Sequence, residues 1–208
     1  MMTQLPYRVF VQARMSSNRL PGKMLAPFRG QPMVKVVLDR LAERIPAQHL
    51  VLLTSDLPSD DPLALYVEWL GYAVFRGALD DVLARFQTAS MIYPADWVVR
   101  VSGDSPLFEP HIITDMLRFT EGRYDLITNV FPRSFPKGNS VEIIRTDTLQ
   151  QLDTLALTHA EREHVTQVFY NHADQYAIYN HHSGDDTLAE KALTVDTLED
   201  YRRLNRED

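Results

Sequence analysis

Three cations and two small hydroxyls crowd into one short segment near the start of the chain, Gln12-Ala13-Arg14-Met15-Ser16-Ser17-Asn18-Arg19-Leu20-Pro21-Gly22-Lys23. The apolar run Tyr7–Val11 before it reads as a buried β-strand. The cations are Arg14, Arg19 and Lys23; the hydroxyls are Ser16 and Ser17. Arg offers planar, forked donors to phosphate oxygens, and Lys offers a mobile point charge. Pro21-Gly22 is turn chemistry: Pro fixes φ and Gly lets the backbone come close to a ligand. A loop of this kind suits an anion, and phosphate is the commonest candidate. It is not a Walker A loop, because G-x-x-x-x-G-K-[ST] is absent. The competing reading is a solvated basic loop after an edge strand.

Two aspartates stand just beyond apolar runs. Asp104 comes after Trp97–Val101, and Asp196 after Leu193-Thr194-Val195. Open α/β sheets bind ligands at the carboxyl ends of their strands. Two carboxylates there suit one hard divalent cation such as Mg²⁺, with phosphates and waters completing its shell. Taken singly, each aspartate reads equally as the N-cap of the helix after it. Ser59-Asp60-Asp61 and Asp80-Asp81 read as helix starts rather than metal sites. In Glu161-Arg162-Glu163-His164, Glu161 and His164 share one helix face. His164 is then either a substrate or acid–base contact or part of an ion-paired surface. The six other histidines show no metal-ligand spacing, and His181-His182 beside Asp185-Asp186 reads as a solvated loop.

These residues need elements to hold them. Strands are expected at Tyr7–Val11, Leu50–Leu53, Tyr72–Phe75, Trp97–Val101 and Asp125–Thr128. Helical spacing runs through Met33–Arg44, Pro62–Leu70, Leu79–Tyr93 and Pro110–Thr120. In the first of these, Val34, Val37, Leu38 and Leu41 fall on one face, which is core packing. Strand and helix in alternation predict a mainly parallel α/β sheet covered on both faces. After 129 the pattern changes. Phe131–Gly138 is a turn-rich connection, and Val141–Ile144 reads as a strand. Thr148–Leu157 and Ala160–His172 read as helices, Tyr176–Asn180 and Leu193–Val195 as strands, and Leu198–Asn205 as a last helix. The chain reads as one domain, 1–208, with a subdomain insertion at about 130–182 that folds over the site.

Composition narrows the partners. The chain has 208 residues, 45% hydrophobic and 24% charged, ordinary values for a soluble globular protein. No apolar run approaches the ~20 residues that span a bilayer. The N-terminus lacks the basic-then-apolar layout of a signal peptide, and cysteine is absent. A cytoplasmic protein without disulfides or a thiol nucleophile is expected. A formal charge of -7 argues against a nucleic-acid binder, which needs a basic surface. Against that background the cations of 14–23 are a local concentration, as a focused anion pocket requires.

Residues 12–23 resemble the N-terminal signature of the cytidylyltransferase family, which includes SpsF-like spore-coat proteins and the synthetases of CMP-activated Kdo and sialic acids. The resemblance continues through Arg100-Val101-Ser102-Gly103-Asp104-Ser105-Pro106-Leu107, Glu161–Thr166 and Leu193–Asp200. Four motifs in order span nearly the whole chain. The resemblance implies an α/β three-layer sandwich of the nucleotide-diphospho-sugar transferase type, with a mainly parallel mixed sheet. It implies a Mg²⁺-dependent transfer of CMP from CTP to a sugar or sugar acid, with release of pyrophosphate, and a homodimer formed through the 130–182 block. Arg14, Arg19 and Lys23 would hold the triphosphate, with Gln12, Ala13, Ser16, Ser17, Ser102 and Gly103 lining the nucleotide. Asp104 and Asp196 would hold the metal, while Glu142 and His164 would meet the acceptor. One position departs from the pattern: Ser140 stands where an aspartate usually precedes Glu142 by two residues. Two rivals follow, a glycosyltransferase consuming a nucleotide sugar and a non-catalytic nucleotide or sugar binder. The first is disfavoured because Asp-x-Asp is absent.

Overall fold

Along β1 (Leu5–Gln12), Val9 and Val11 face one layer and Phe10 the other, and all three are fully buried. That alternation is the signature of a strand covered on both sides. The structure, a computed structural model, describes residues 5–152 and 157–206.

Six further strands join β1 in the main sheet: β4 (Leu50–Ser55), β5 (Ala73–Gly77), β6 (Ala95–Ser102), β7 (Leu126–Thr128), β8 (Glu142–Arg145) and β9 (Ile178–Asn180). A small ribbon, β2 (Pro27–Phe28) with β3 (Gln31–Pro32), stands apart. The sheet order is β5-β4-β1-β6-β8-β7-β9. β5, β4, β1 and β6 run parallel, β8 runs antiparallel to both β6 and β7, and β9 pairs parallel with β7.

The helices divide between the faces. α1 (Met33–Ala42), α2 (Asp61–Trp69), α4 (His111–Met116) and α8 (Leu198–Leu204) pack on the face of Val9 and Val11. α3 (Val82–Ile92), α5 (Thr146–Gln151) and α7 (Gln167–Asn171) pack on the face of Phe10, and α6 (His159–His164) lies against α3. This is the expected three-layer α/β arrangement. Each large apolar side chain fully buried in such a layer contributes about 1.5–3 kcal/mol. No described helix is long and apolar enough to cross a membrane.

Three expectations need correction. Residues 193–195 form no strand, since their hydrogen bonds go to two different loops: Leu193 N–H to the Lys137 carbonyl at 2.6 Å and Val195 N–H to that of Asp104 at 2.8 Å. The expected helix Ala160–His172 is two helices, broken at buried Val165, whose φ is 50°. The N–H of Thr166 there bonds the carbonyl of His164, a tight γ-turn that a β-branched residue adopts only when its surroundings hold it. The helix expected at Thr148–Leu157 is α5, which ends at Gln151; residues 153–156 lie outside those described. Within the 130–182 block, β8 lies between β6 and β7 and β9 pairs with β7.

Candidate active site

The loop after β1 is shaped by backbone and carboxylate contacts. Ala13 N–H continues the ladder to the Leu53 carbonyl, and Gly22 N–H reaches back to that of Met15 at 2.9 Å. α1 begins without a side-chain cap. Its first free amides, on Met33 and Val34, bond the carbonyls of Ala26 and Met24, so the helix start fixes the loop's exit. The other anchor is Asp60, fully buried at the start of α2. Asp60 Oδ1 accepts the Met15 N–H at 2.7 Å. Its Oδ2 takes the Ser55 N–H at 3.1 Å, the Thr54 hydroxyl at 3.0 Å and the Ser55 hydroxyl. Burial works to raise the carboxyl's pKa, but these donors together hold it below the ordinary range. Asp60 therefore clamps the loop instead of capping its helix. Asp81 does cap α3, accepting the Ala84 N–H at 3.0 Å.

Gly103 brings the next element close. Its N–H donates to the Gln12 carbonyl at 2.8 Å, and a Cβ there would lie 2.8 Å from that of Ala13. Only glycine lets the β6 exit pack so tightly on the β1 exit. Asp104 follows at once. Ser102 and Ser105 hydroxyls donate to its Oδ1 at 2.7 and 3.3 Å, and Lys23 Nζ donates to its Oδ2 at 3.3 Å. Asp196 arrives from the other side, 3.6 Å from the same ammonium. Lys23, 7% exposed, is held between them by a 2.7 Å bond to the Val195 carbonyl. Arg19 and Lys137 also pair with Asp196, at 3.0 and 3.1 Å. Burial opposes ionisation of Asp196, yet the Lys137 bond and the charges of Lys23, Lys137 and Arg19 hold its pKa below the usual range. Neither aspartate caps a helix. Thr197 caps α8, with Asp200 closing the capping box, and α4 starts seven residues after Asp104, at His111.

These side chains open onto a cleft of about 320 Å³ at the carboxyl ends of β1 and β6, with α3 at one side. Gln12, Ala13, Arg14, Ser17, Arg19, Lys23, Ser102, Asp104, His164 and Asp196 all line it. Gly103, Ser16 and Glu142 do not; the Ser16 hydroxyl is buried without a hydrogen-bond partner. Glu142, 6% exposed, sits behind the wall, where it accepts from Arg100 at 2.5 Å and from the Tyr170 hydroxyl at 2.6 Å. Burial and the neighbouring Glu142 carboxylate push the Tyr170 phenol well above its ordinary value, so it stays a donor. Arg100 also donates to Gln12 Oε1 at 3.3 Å and to the Thr166 hydroxyl at 3.4 Å. The γ-turn at Val165 thus puts His164 in the cleft wall and Thr166 on Arg100. Glu161 is not a partner of His164. It faces inward, in a capping box with Thr158 and bonded to Asn171.

Sequence reasoning missed Asn18, Arg85, Arg100 and Glu163 in the wall, Lys137 on Asp196 and Asp60 under the loop. Arg100 left a signal: it interrupts the apolar run Trp97–Val101 at a position that a purely structural strand would fill with an apolar residue.

A cation-bearing loop and two converging carboxylates thus share one cleft on a doubly covered α/β sheet, the features a nucleotide-binding class of α/β protein requires. The cytidylyltransferase family model matches residues 9–206, and the chain belongs to that family. It is 31% identical over 203 residues to the spore coat polysaccharide biosynthesis protein SpsF of Bacillus subtilis, covering 93% of this chain and 82% of that one. It is 30% identical to a 3-deoxy-manno-octulosonate cytidylyltransferase of Anaeromyxobacter, over 75% of this chain and 64% of the relative. A solved cytidylyltransferase from Leptospira borgpetersenii superposes with a TM-score of 0.92 at 31% identity, covering 97% of this chain and 86% of that one.

Proposed function

We propose that the protein transfers CMP from CTP to a hydroxyl of a sugar acid, releasing pyrophosphate, in the synthesis of a surface polysaccharide. One observation carries the reading. Asp104 and Asp196, from segments far apart in the chain, converge on one ammonium at the foot of a loop carrying Arg14 and Arg19. The names of the relatives, a spore-coat polysaccharide protein and a Kdo cytidylyltransferase, supply the acceptor class.

The residues fit a hard divalent cation. Both carboxylates are hard oxygen donors within reach of one point, and two are enough when phosphates supply the other ligands. Asp104 and Asp196 would hold Mg²⁺, which offsets charge on the α-phosphate and the leaving pyrophosphate when bound. Arg14 and Arg19 grip the triphosphate, and Lys23 turns from the aspartates toward it. Loop amides and cations set the geometry; no covalent nucleophile is needed, since phosphoryl chemistry depends mainly on positioning and charge. The acceptor oxygen bonds to the α-phosphorus, the bond to the β-phosphate oxygen breaks, and the hydroxyl proton passes to solvent.

The acceptor comes from the β8 side, beside Arg100. Arg133 stands near, donating to the Ser140 hydroxyl at 3.0 Å and forming no ion pair among the described residues. Burial lowers its pKa and the Glu142 charge opposes that shift. An aspartate at 140 would occupy this guanidinium; serine leaves its charge for an acceptor carboxylate. Pyrophosphate release from CTP should appear with a 2-keto sugar acid and not with the matching neutral sugar. Release with neither, despite CTP binding, would make the protein a nucleotide binder. Release of a nucleoside mono- or diphosphate from a nucleotide sugar would make it a glycosyltransferase.

A further inference from the structure

Arg85 lines the β5 side of the cleft yet is only 2% exposed, and the reaction above does not use it. It lies in the first turns of α3, where side chains lean back toward the helix start. Its stem crosses Gly77, at which a Cβ would come within 3.2 Å of the Arg85 Cγ. Glycine at the end of β5 is what lets the guanidinium through. Nη1 then donates to the Ala78 carbonyl at 2.9 Å. The other edge, Nε with Nη2, makes no hydrogen bond among the described residues; Nε is buried without a partner, and Arg85 forms no ion pair there. Burial, with the charge of Arg14, pulls its pKa down to about 10, so it remains a cation at neutral pH. A buried cation with an empty fork is costly unless a ligand fills the fork.

Strand order says which part of the ligand reaches it. Asp104 leaves β6 on one side of β1; Arg85 stands by β5 on the other side. A nucleotide with its α-phosphate at Asp104 and Asp196 extends its base away from them, toward β5. The Nε–Nη2 edge presents two parallel N–H donors. Cytosine offers two adjacent acceptors, O2 and N3. Uracil carries a proton on N3, which sets donor against donor.

We infer that Arg85 is the residue that reads the base, donating through Nε and Nη2 to O2 and N3 of the cytosine ring. The inference rests on cytidylyl transfer being the reaction. It makes Arg85 a specificity residue for the pyrimidine and assigns it no part in holding phosphate.

Calorimetry with CTP, CMP, UMP and inorganic pyrophosphate tests it, on the wild type, Arg85→Met and Arg85→Lys. The wild type should prefer CMP to UMP. Arg85→Met should bind CMP and CTP roughly 10- to 100-fold more weakly, the range for a lost charge-assisted hydrogen bond. Its affinities for UMP and pyrophosphate should stay within about twofold of wild type. Arg85→Lys keeps the charge but loses the fork, so its CMP preference should fall too; this variant decides the matter if Arg85→Met does not fold. Weaker pyrophosphate and CTP binding with CMP unchanged would place Arg85 on the phosphates and overturn the inference. A lower melting temperature with the CMP preference intact would make Arg85 structural and also overturn it. A wild type that binds no CTP would instead bring down the cytidylyl-transfer reading itself.

Discussion

At the scale of single residues, the cleft turns on which carboxylates are free to meet a ligand. Asp104 caps no helix, so Asp104→Asn should leave the melting temperature within about 4 °C of wild type, the shift expected for 1 kcal/mol or less in a chain of this size. Turnover should fall by about 100-fold or more, the usual loss when one charge-stabilising group leaves an active site. Stopped assays with scanning calorimetry check both; a large thermal loss with activity kept would return Asp104 to a structural role. On the proposed function, position 140 bears on the acceptor alone. Ser140→Asp would place a carboxylate on Arg133, 3.0 Å from the present hydroxyl. It should raise KM for an acidic acceptor and leave CTP affinity within about twofold, because a satisfied guanidinium no longer attracts a second carboxylate. Equal KM for both proteins would put position 140 outside the acceptor site.

At the scale of elements, the loop after β1 depends on a carboxylate from the start of α2. Asp60→Ala would strand the Met15 and Ser55 amides and two hydroxyls. Each unmet buried group costs about 1–3 kcal/mol, so four of them should lower the melting temperature by about 8 °C or more, and CTP affinity should fall with it. Normal CTP affinity at full occupancy would mean that the loop keeps its shape unaided. Asp60 also shows where sequence reading stops. Its neighbours announce a helix start, and a helix does start there. The carboxylate's direction, turned back under a loop 45 residues earlier, is set by packing alone. Strands β1, β4 and β6 were legible because they are nearly continuous buried apolar runs. The segment 193–195 looks the same in sequence but has no single strand to pair with. The break at Val165 was hidden because valine gives no hint of a positive φ. Arg85 was hidden because a cation on a helix reads as solvent-facing until Gly77 shows the path it takes inward. The site residues that sequence did place, from Gln12 to Lys23 and at Asp104 and Asp196, sit where strand ends and turn chemistry coincide.

At the scale of the molecule, buried His49 and half-buried His181 set a pH limit. His49 donates from Nδ1 to the Tyr7 carbonyl at 2.9 Å, and His181 lies between the rings of Phe119 and Phe135. Burial lowers both pKa values. The unfolded chain then takes up protons near pH 6.5 that the native state refuses, so stability falls as pH drops from about 7 toward 5. His49→Gln should flatten that part of a melting-temperature profile; an unchanged slope would assign it to other groups. Asp60, Asp196 and Asp200 act lower down, since their depressed pKa values, about 2 for Asp200, give stability that persists until pH falls through them. The seat of Lys23 has a further consequence, for the order of events in a catalytic cycle. While its ammonium lies between Asp104 and Asp196, those carboxylates already have a counterion. If Asp104 and Asp196 hold a divalent cation, as proposed, that cation would have to compete with the tethered ammonium of Lys23. On the proposed function, incoming triphosphate would change the contest, because it would draw Lys23 away and bring its own oxygens. On the proposed function the cycle would therefore be ordered, with nucleotide and cation arriving as a pair, and Lys23 would be the latch that keeps the two aspartates together between turnovers.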